Sequence, residues 1–157
     1  MFLPSDGIVK DVNPTLDLAA YATGDLLFAA NEMTDCVLNT KGLSRLSTLL
    51  VLDAANQKSQ LDLLIFDRDP GSLGSLNSAI DVSTTQLSYL VGFIPVAAAD
   101  YVTLKSGANA VAILKPALML PAKQGSKSFW IAGICRGSPD YAVATDLRIK
   151  LVLERQS

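Results

Sequence analysis

The sequence predicts an all-β fold, a single-domain, jelly-roll-like β-sandwich with an extended N-terminal arm. Two observations predict it. About eight or nine short apolar runs recur along the chain, divided by turn-forming clusters of Gly, Pro, Asn, Asp and Ser roughly every ten to fifteen residues. No long stretch keeps a helical period, and no internal repeat is present. At 157 residues the chain suits one domain and is long enough to bury a core without disulfide or metal staples.

The elements follow in order. Residues 1–24 hold Pro4, Gly7, Asp11, Asn13 and Pro14, which argue against a long regular element before Thr15 and predict an arm that crosses the surface or reaches a neighbour. The sandwich is assigned to residues 25–157. Its first strand is expected near Leu26 to Ala29, after the Thr23-Gly24 turn. Asn31 to Leu38 reads equally as a turn or two of helix or as the approach to a strand. Leu46-Ser-Thr-Leu-Leu-Val-Leu-Asp53 and Leu61-Asp-Leu-Leu-Ile-Phe-Asp67, joined by a polar bridge, read as adjacent antiparallel strands. Both are apolar on both faces, so each needs cover on two sides, from this chain or from a partner.

Asp67-Arg-Asp-Pro-Gly-Ser72 is a dense turn signal. Ser83 or Thr84 can N-cap a short helix that leads into Leu90 to Val96, where Pro95 demands an edge position or a bulge. Tyr101 to Leu104 and Val111 to Leu114 flank the turn at 105–109, and Pro116 and Pro121 punctuate the next run. Ser128 to Cys135 places Phe129, Ile131 and Cys135 on one face and Trp130 and Ile134 on the other. Asp146 to Glu154 alternates cleanly, which predicts one wet face.

Composition narrows function. Half of the residues are hydrophobic and only 18% are charged, against about 25% in ordinary soluble domains. The low charge fits surface that is hidden in an assembly. The net charge of −2 and the scattered lysines and arginines offer no stripe for a phosphate backbone, which argues against nucleic-acid binding. Arg148, Lys150 and Arg155 gather at the end of the chain, but their alternation with Leu147, Ile149, Leu151 and Leu153 reads as a solvated strand face. Met1 to Asp6 lacks the basic and apolar regions of an export signal, and no run reaches membrane-spanning length. A protein made and kept in the cytosol, or in a particle assembled there, with no membrane partner, is the expectation. Cys36 and Cys135 are expected to be buried free thiols rather than a disulfide.

The chain has no histidine, which removes Ser-His-Asp and Cys-His catalysis and histidine zinc sites. The best carboxylate cluster is Asp67-Arg68-Asp69, with Asp62 and Asp81 as possible neighbours. It lacks the further ligands of a calcium loop, and the aspartates read instead as turn caps. Glu32 and Glu154 are the only glutamates, thin material for a glycosidase pair. Pro70 to Ser75 lacks the Gly-Lys-Ser/Thr of a phosphate loop, and Arg136-Gly-Ser138 is a turn with one charge. Trp130, Tyr101, Tyr141 and Tyr89 could form a sugar platform, although alternating aromatics in strands usually belong to a core. No catalytic, cofactor-binding or metal-binding residue is assigned, and the expectation is a non-enzyme without a cofactor.

Leu49-Leu-Val-Leu-Asp53, Leu63-Leu-Ile-Phe-Asp67 with its Pro-Gly loop, Leu90 to Val96 with Asp100-Tyr-Val102, and Phe129 to Tyr141 before a terminal Leu-rich strand form a set. Over Tyr21 to Arg155 that set resembles jelly-roll decoration, or cement, proteins of tailed bacteriophages. The resemblance implies a structural virion protein on the capsid exterior that clamps neighbouring major capsid protein subunits. It also implies a homo-oligomer, a trimer favoured, and brings no catalytic residues. The alternatives are a carbohydrate-binding module of a virion fibre or spike, which would need the aromatic platform, or another structural head or tail component.

Overall fold

The computed structural model describes residues 5–156, and they form ten strands, β1 (Ser5–Val12), β2 (Leu26–Met33), β3 (Leu43–Asp53), β4 (Leu61–Phe66), β5 (Leu90–Val96), β6 (Tyr101–Lys105), β7 (Asn109–Leu114), β8 (Leu118–Pro121), β9 (Phe129–Cys135) and β10 (Leu147–Gln156). One short helix, α1 (Thr84–Leu87), and a 3₁₀ turn at Ala98–Asp100 complete the regular structure.

The strands make two antiparallel sheets. The first runs β1-β10-β3-β7-β6, with β8 pairing the Leu43–Leu46 end of β3 beyond the reach of β7. The second runs β2-β9-β4-β5. The chain changes sheet at most connections and stays in one only at β4–β5 and along β6–β7–β8. Facing quartets ordered β1-β10-β3-β7 and β2-β9-β4-β5 are the strand order of a jelly roll. The protein is therefore an all-β jelly-roll sandwich.

Two expectations need correction. The runs ending in Asp53 and Asp67 are not paired neighbours: β3 lies between β10 and β7 in the first sheet, and β4 lies between β9 and β5 in the second. The bridge between them is an arch rather than a hairpin. Asn56 and Lys58 adopt left-handed backbone angles (φ 52° and 48°), and the Asp53 carboxylate accepts from the Ala55 and Lys58 amides at 2.9 and 2.8 Å, turning the chain out of one sheet into the other. A regular element also forms before Thr15. Ser5–Val12 pairs residue for residue with β10, from Ser5 opposite Gln156 to Val12 opposite Ile149. As an edge strand it tolerates Gly7 and its acids, and Arg155 binds Asp6 while Lys150 meets Asp11 at 2.8 Å. Beyond it, the segment before β2 has no regular structure but is pinned down. Leu16 and Tyr21 are buried, and their amides donate to the carbonyls of Ala144 and Pro139.

The main core lies between the sheets. It includes Phe28, Leu46, Leu49, Val51, Leu63, Ile65, Phe129, Ile131 and Tyr141, together with Leu147, Ile149 and Leu151 of β10. A second, smaller cluster lies on the far side of the second sheet. There Leu26, Leu64, Phe66, Leu73, Ala132 and Ile134 pack with Ile80, Val82, Tyr89, Leu90 and Trp130. All six residues of β4 are buried as a result. The cover that β4 needs on its second face comes from this chain's own β4–β5 connection, not from a neighbouring copy. Gln86 holds that connection together: its side chain donates to the Pro70 and Ser72 carbonyls, each at 2.7 Å, and accepts from the Ser83 amide, while Ser83 caps α1.

Candidate functional site

Among the described residues, no connection covers the first sheet in this way. Its inward positions fill the core, and its outward positions form a face of unusual composition. On β3, Leu50 and Leu52 point outward between the buried Leu49, Val51 and Asp53. On β7 the small Ala110 and Ala112 point inward, which sends Val111 and Ile113 out. Register aligns these residues: Leu50 lies opposite Ile113, Leu52 opposite Val111, and Val111 opposite Val102 of β6. Val111, flanked on both sides, is only 7% exposed, whereas Ile113 is 55% exposed, Val102 59% and Leu104 68%. The result is a continuous apolar strip across three strands that ends at the open edge of the sheet.

Charge borders the strip on the β10 side. Arg148 lies opposite Leu52 and Lys150 opposite Leu50. Lys150 is held by Asp11, and Arg45 pairs with Glu154 at 3.2 Å. Among the described residues Arg148 makes no ion pair within 4 Å. A groove of about 370 Å³ runs beside it, lined by Leu52, Asp53, Leu104, Asn109, Asp146 and Arg148. Burial pushes the Asp53 carboxyl above its ordinary range, against the opposing effect of the backbone amides it binds.

The sequence-derived candidates for chemistry are dispersed. Asp67 is engaged by Arg68 at 2.8 Å, Asp69 caps the Gly71 amide, and Asp62 accepts from Arg136. Among the described residues no group of three or more carboxylates and thiols converges as a metal site. Tyr101 and Tyr141 are in the main core, where the Tyr101 hydroxyl donates to the Ser59 carbonyl. Tyr89 and Trp130 pack on the far side of the second sheet, with Arg68 4.4 Å above the Tyr89 ring. The four aromatics therefore do not share a platform. Cys36 and Cys135 are buried and unbridged, and burial pushes the Cys36 thiol up to about 11, which leaves it without nucleophilic thiolate at neutral pH.

Sequence reading missed the apolar strip. In β7 both sets of alternating positions are apolar, so alternation does not say which faces out. The signal present was size: alanine at 110 and 112 against valine and isoleucine at 111 and 113.

No family model and no curated protein matches the chain. Among solved structures it is similar to a chain of tomato aspermy virus, with 12% identity and a TM-score of 0.43 over 98% of this chain and 78% of that one. It is also similar to the K3 cleaved adhesin domain of Lys-gingipain from Porphyromonas gingivalis (10% identity, TM-score 0.36, 81% and 62% covered). A third similarity is to a chain of turnip yellow mosaic virus (10% identity, TM-score 0.34, 99% and 95% covered). Likenesses this loose carry no weight for function, and the fold class rests on the strand order described above.

Proposed function

We propose that this chain is a structural virion protein that binds the outer surface of a phage capsid and clamps neighbouring major capsid protein subunits. The observation that carries the reading is the exposed apolar strip on the first sheet, set against a second sheet whose β4 the chain covers with its own β4–β5 connection. A protein that spends a whole connection on covering one apolar face, and leaves the other open, works by being covered there. The carboxylates and aromatics that the sequence singled out for chemistry, Asp62, Asp67, Asp69, Tyr101, Tyr141, Tyr89 and Trp130, are engaged in holding the fold, whereas the strip is exposed apolar surface. Many copies of a modest interface around a shell supply strength by multivalency. A homotrimer at a symmetry axis is the assembly this reading favours. The glycan-binding alternative is supported less, since Trp130 packs in the second cluster rather than on a platform.

The test is to add the purified protein to shells assembled without it. The reading expects co-sedimentation with the shells and a raised temperature of shell disruption. A protein that neither binds nor stabilises them contradicts it.

A further inference from the structure

We infer that residues 5–11 form a releasable strap over the outer edge of β10, latched by Arg155, and that the bared edge takes β1 of a second copy of this chain in exchange. The inference does not rest on the proposed virion role.

Burial marks where the strap ends. β1 has a single strand neighbour, β10. From Asp6 to Asp11 no residue is buried: Asp6, Gly7, Val9 and Asp11 are exposed, and Ile8 and Lys10 are only half-buried. Gly7 adds no side chain in the middle of the strand. Anchoring begins at Val12, since Val12, Pro14 and Leu16 are buried and the Leu16 amide donates to the Ala144 carbonyl. A segment held by surface backbone bonds with little apolar burial opens at a lower free energy than the core. Peeling off residues 5–11 therefore leaves the sandwich and the anchored connection intact.

Arg155 holds the strap shut. Its side chain, only 14% exposed, binds the Asp6 carboxylate and also the Asp35 carboxylate at 3.0 Å and the Asp35 carbonyl at 3.1 Å. Asp35 belongs to the β2–β3 connection and not to the strap. Arg155 thus keeps a counter-ion when the strap leaves, and opening does not orphan a partly buried cation. The second tie, Lys150 to Asp11, is exposed on both sides and contributes little.

The pairing selects the occupant. A bared β10 presents unpaired backbone groups along Ile149 to Gln156, a template for another strand. β1 of a second copy repeats all eight pairings in register and returns Asp6 to Arg155 and Asp11 to Lys150. Exchange between identical copies makes the same contacts as the closed chain, so protein concentration tips the balance toward linked copies.

The test mixes two full-length single variants, Val9→Cys and Val152→Cys, under mild oxidation. These positions stand opposite each other in the β1–β10 pair, and the native Cys36 and Cys135 are buried. Neither variant can close the 9–152 disulfide within one chain. The expected result is a disulfide-linked pair of unlike chains that accumulates with protein concentration and forms about threefold or more faster when Asp6→Asn or Arg155→Ala is added to both. A mixture of Leu87→Cys and Val152→Cys, with Leu87 58% exposed on α1, measures chance collision. The double variant Val9→Cys/Val152→Cys verifies that β1 sits on β10. If the double variant closes its disulfide within each chain while the mixed single variants link no faster than the Leu87→Cys control, the exchange is overturned. Linking that neither Asp6→Asn nor Arg155→Ala accelerates overturns the latch. A double variant that forms no disulfide overturns both.

Discussion

Gly133 shows how closely single residues are constrained. It sits in β9 opposite Phe28 and Leu63, and a Cβ added there would come within 2.8 Å of Phe28 Cδ1. Phe28 is fully buried and has no free direction in which to yield. Gly133→Ala is therefore expected to cost about 1–3 kcal/mol through overpacking, read from the denaturation midpoint. Asp53 makes a second prediction. Its folded pKa is raised by burial, so the folded state binds its proton more readily than the unfolded chain, whose value lies near 3.8. The sign follows: this contribution to stability is present below pH 3.8 and is lost as pH rises through the raised folded value. Compared with Asp53→Asn, the wild type should lose stability over that window, as pH-dependent urea titrations of both proteins would show. A difference that grows in the opposite direction contradicts the assignment.

At the scale of elements, the β4–β5 connection behaves as part of the core rather than as a loop. Leu73 is 2% exposed in the second cluster, whereas Leu87 on α1 is 58% exposed. Leu73→Ala is expected to cost about 2–5 kcal/mol, and Leu87→Ala less than about 0.5 kcal/mol, in equilibrium unfolding. Equal effects would mean that the connection does not pack as described. The need for this cover was legible in the sequence, since Leu61 to Phe66 is apolar at both alternating sets of positions. Its source was not, because Leu73, Ile80, Val82 and Leu90 follow no period and lie among turn residues. Strand pairing was hidden for a related reason. Period and turn signals place β3 and β4, but whether Ala54 to Gln60 closes a hairpin or arches between sheets depends on backbone angles at Asn56 and Lys58 that composition does not fix. The clean alternation of β10 and the edge position of Pro95 were both legible, because one wet face and one missing amide leave marks in a single strand.

Among the described residues the molecule is asymmetric: a jelly roll with β4 on one outer face covered by the chain's own β4–β5 connection and an exposed apolar strip on the other. Fold class was legible from strand and turn spacing alone, whereas the open face emerged only once register placed Leu50, Leu52, Val111, Ile113 and Val102 side by side. The account requires that face to be covered when the protein works. The most direct test is a reconstruction of the native particle at a resolution that separates strands. The account predicts the sandwich on the outside of the shell, with β3, β7 and β10 turned toward capsid subunits and the β4–β5 connection turned to solvent. Density for this chain in the tail or a fibre, or a shell contact made by the β4–β5 connection with the strip exposed, would contradict it.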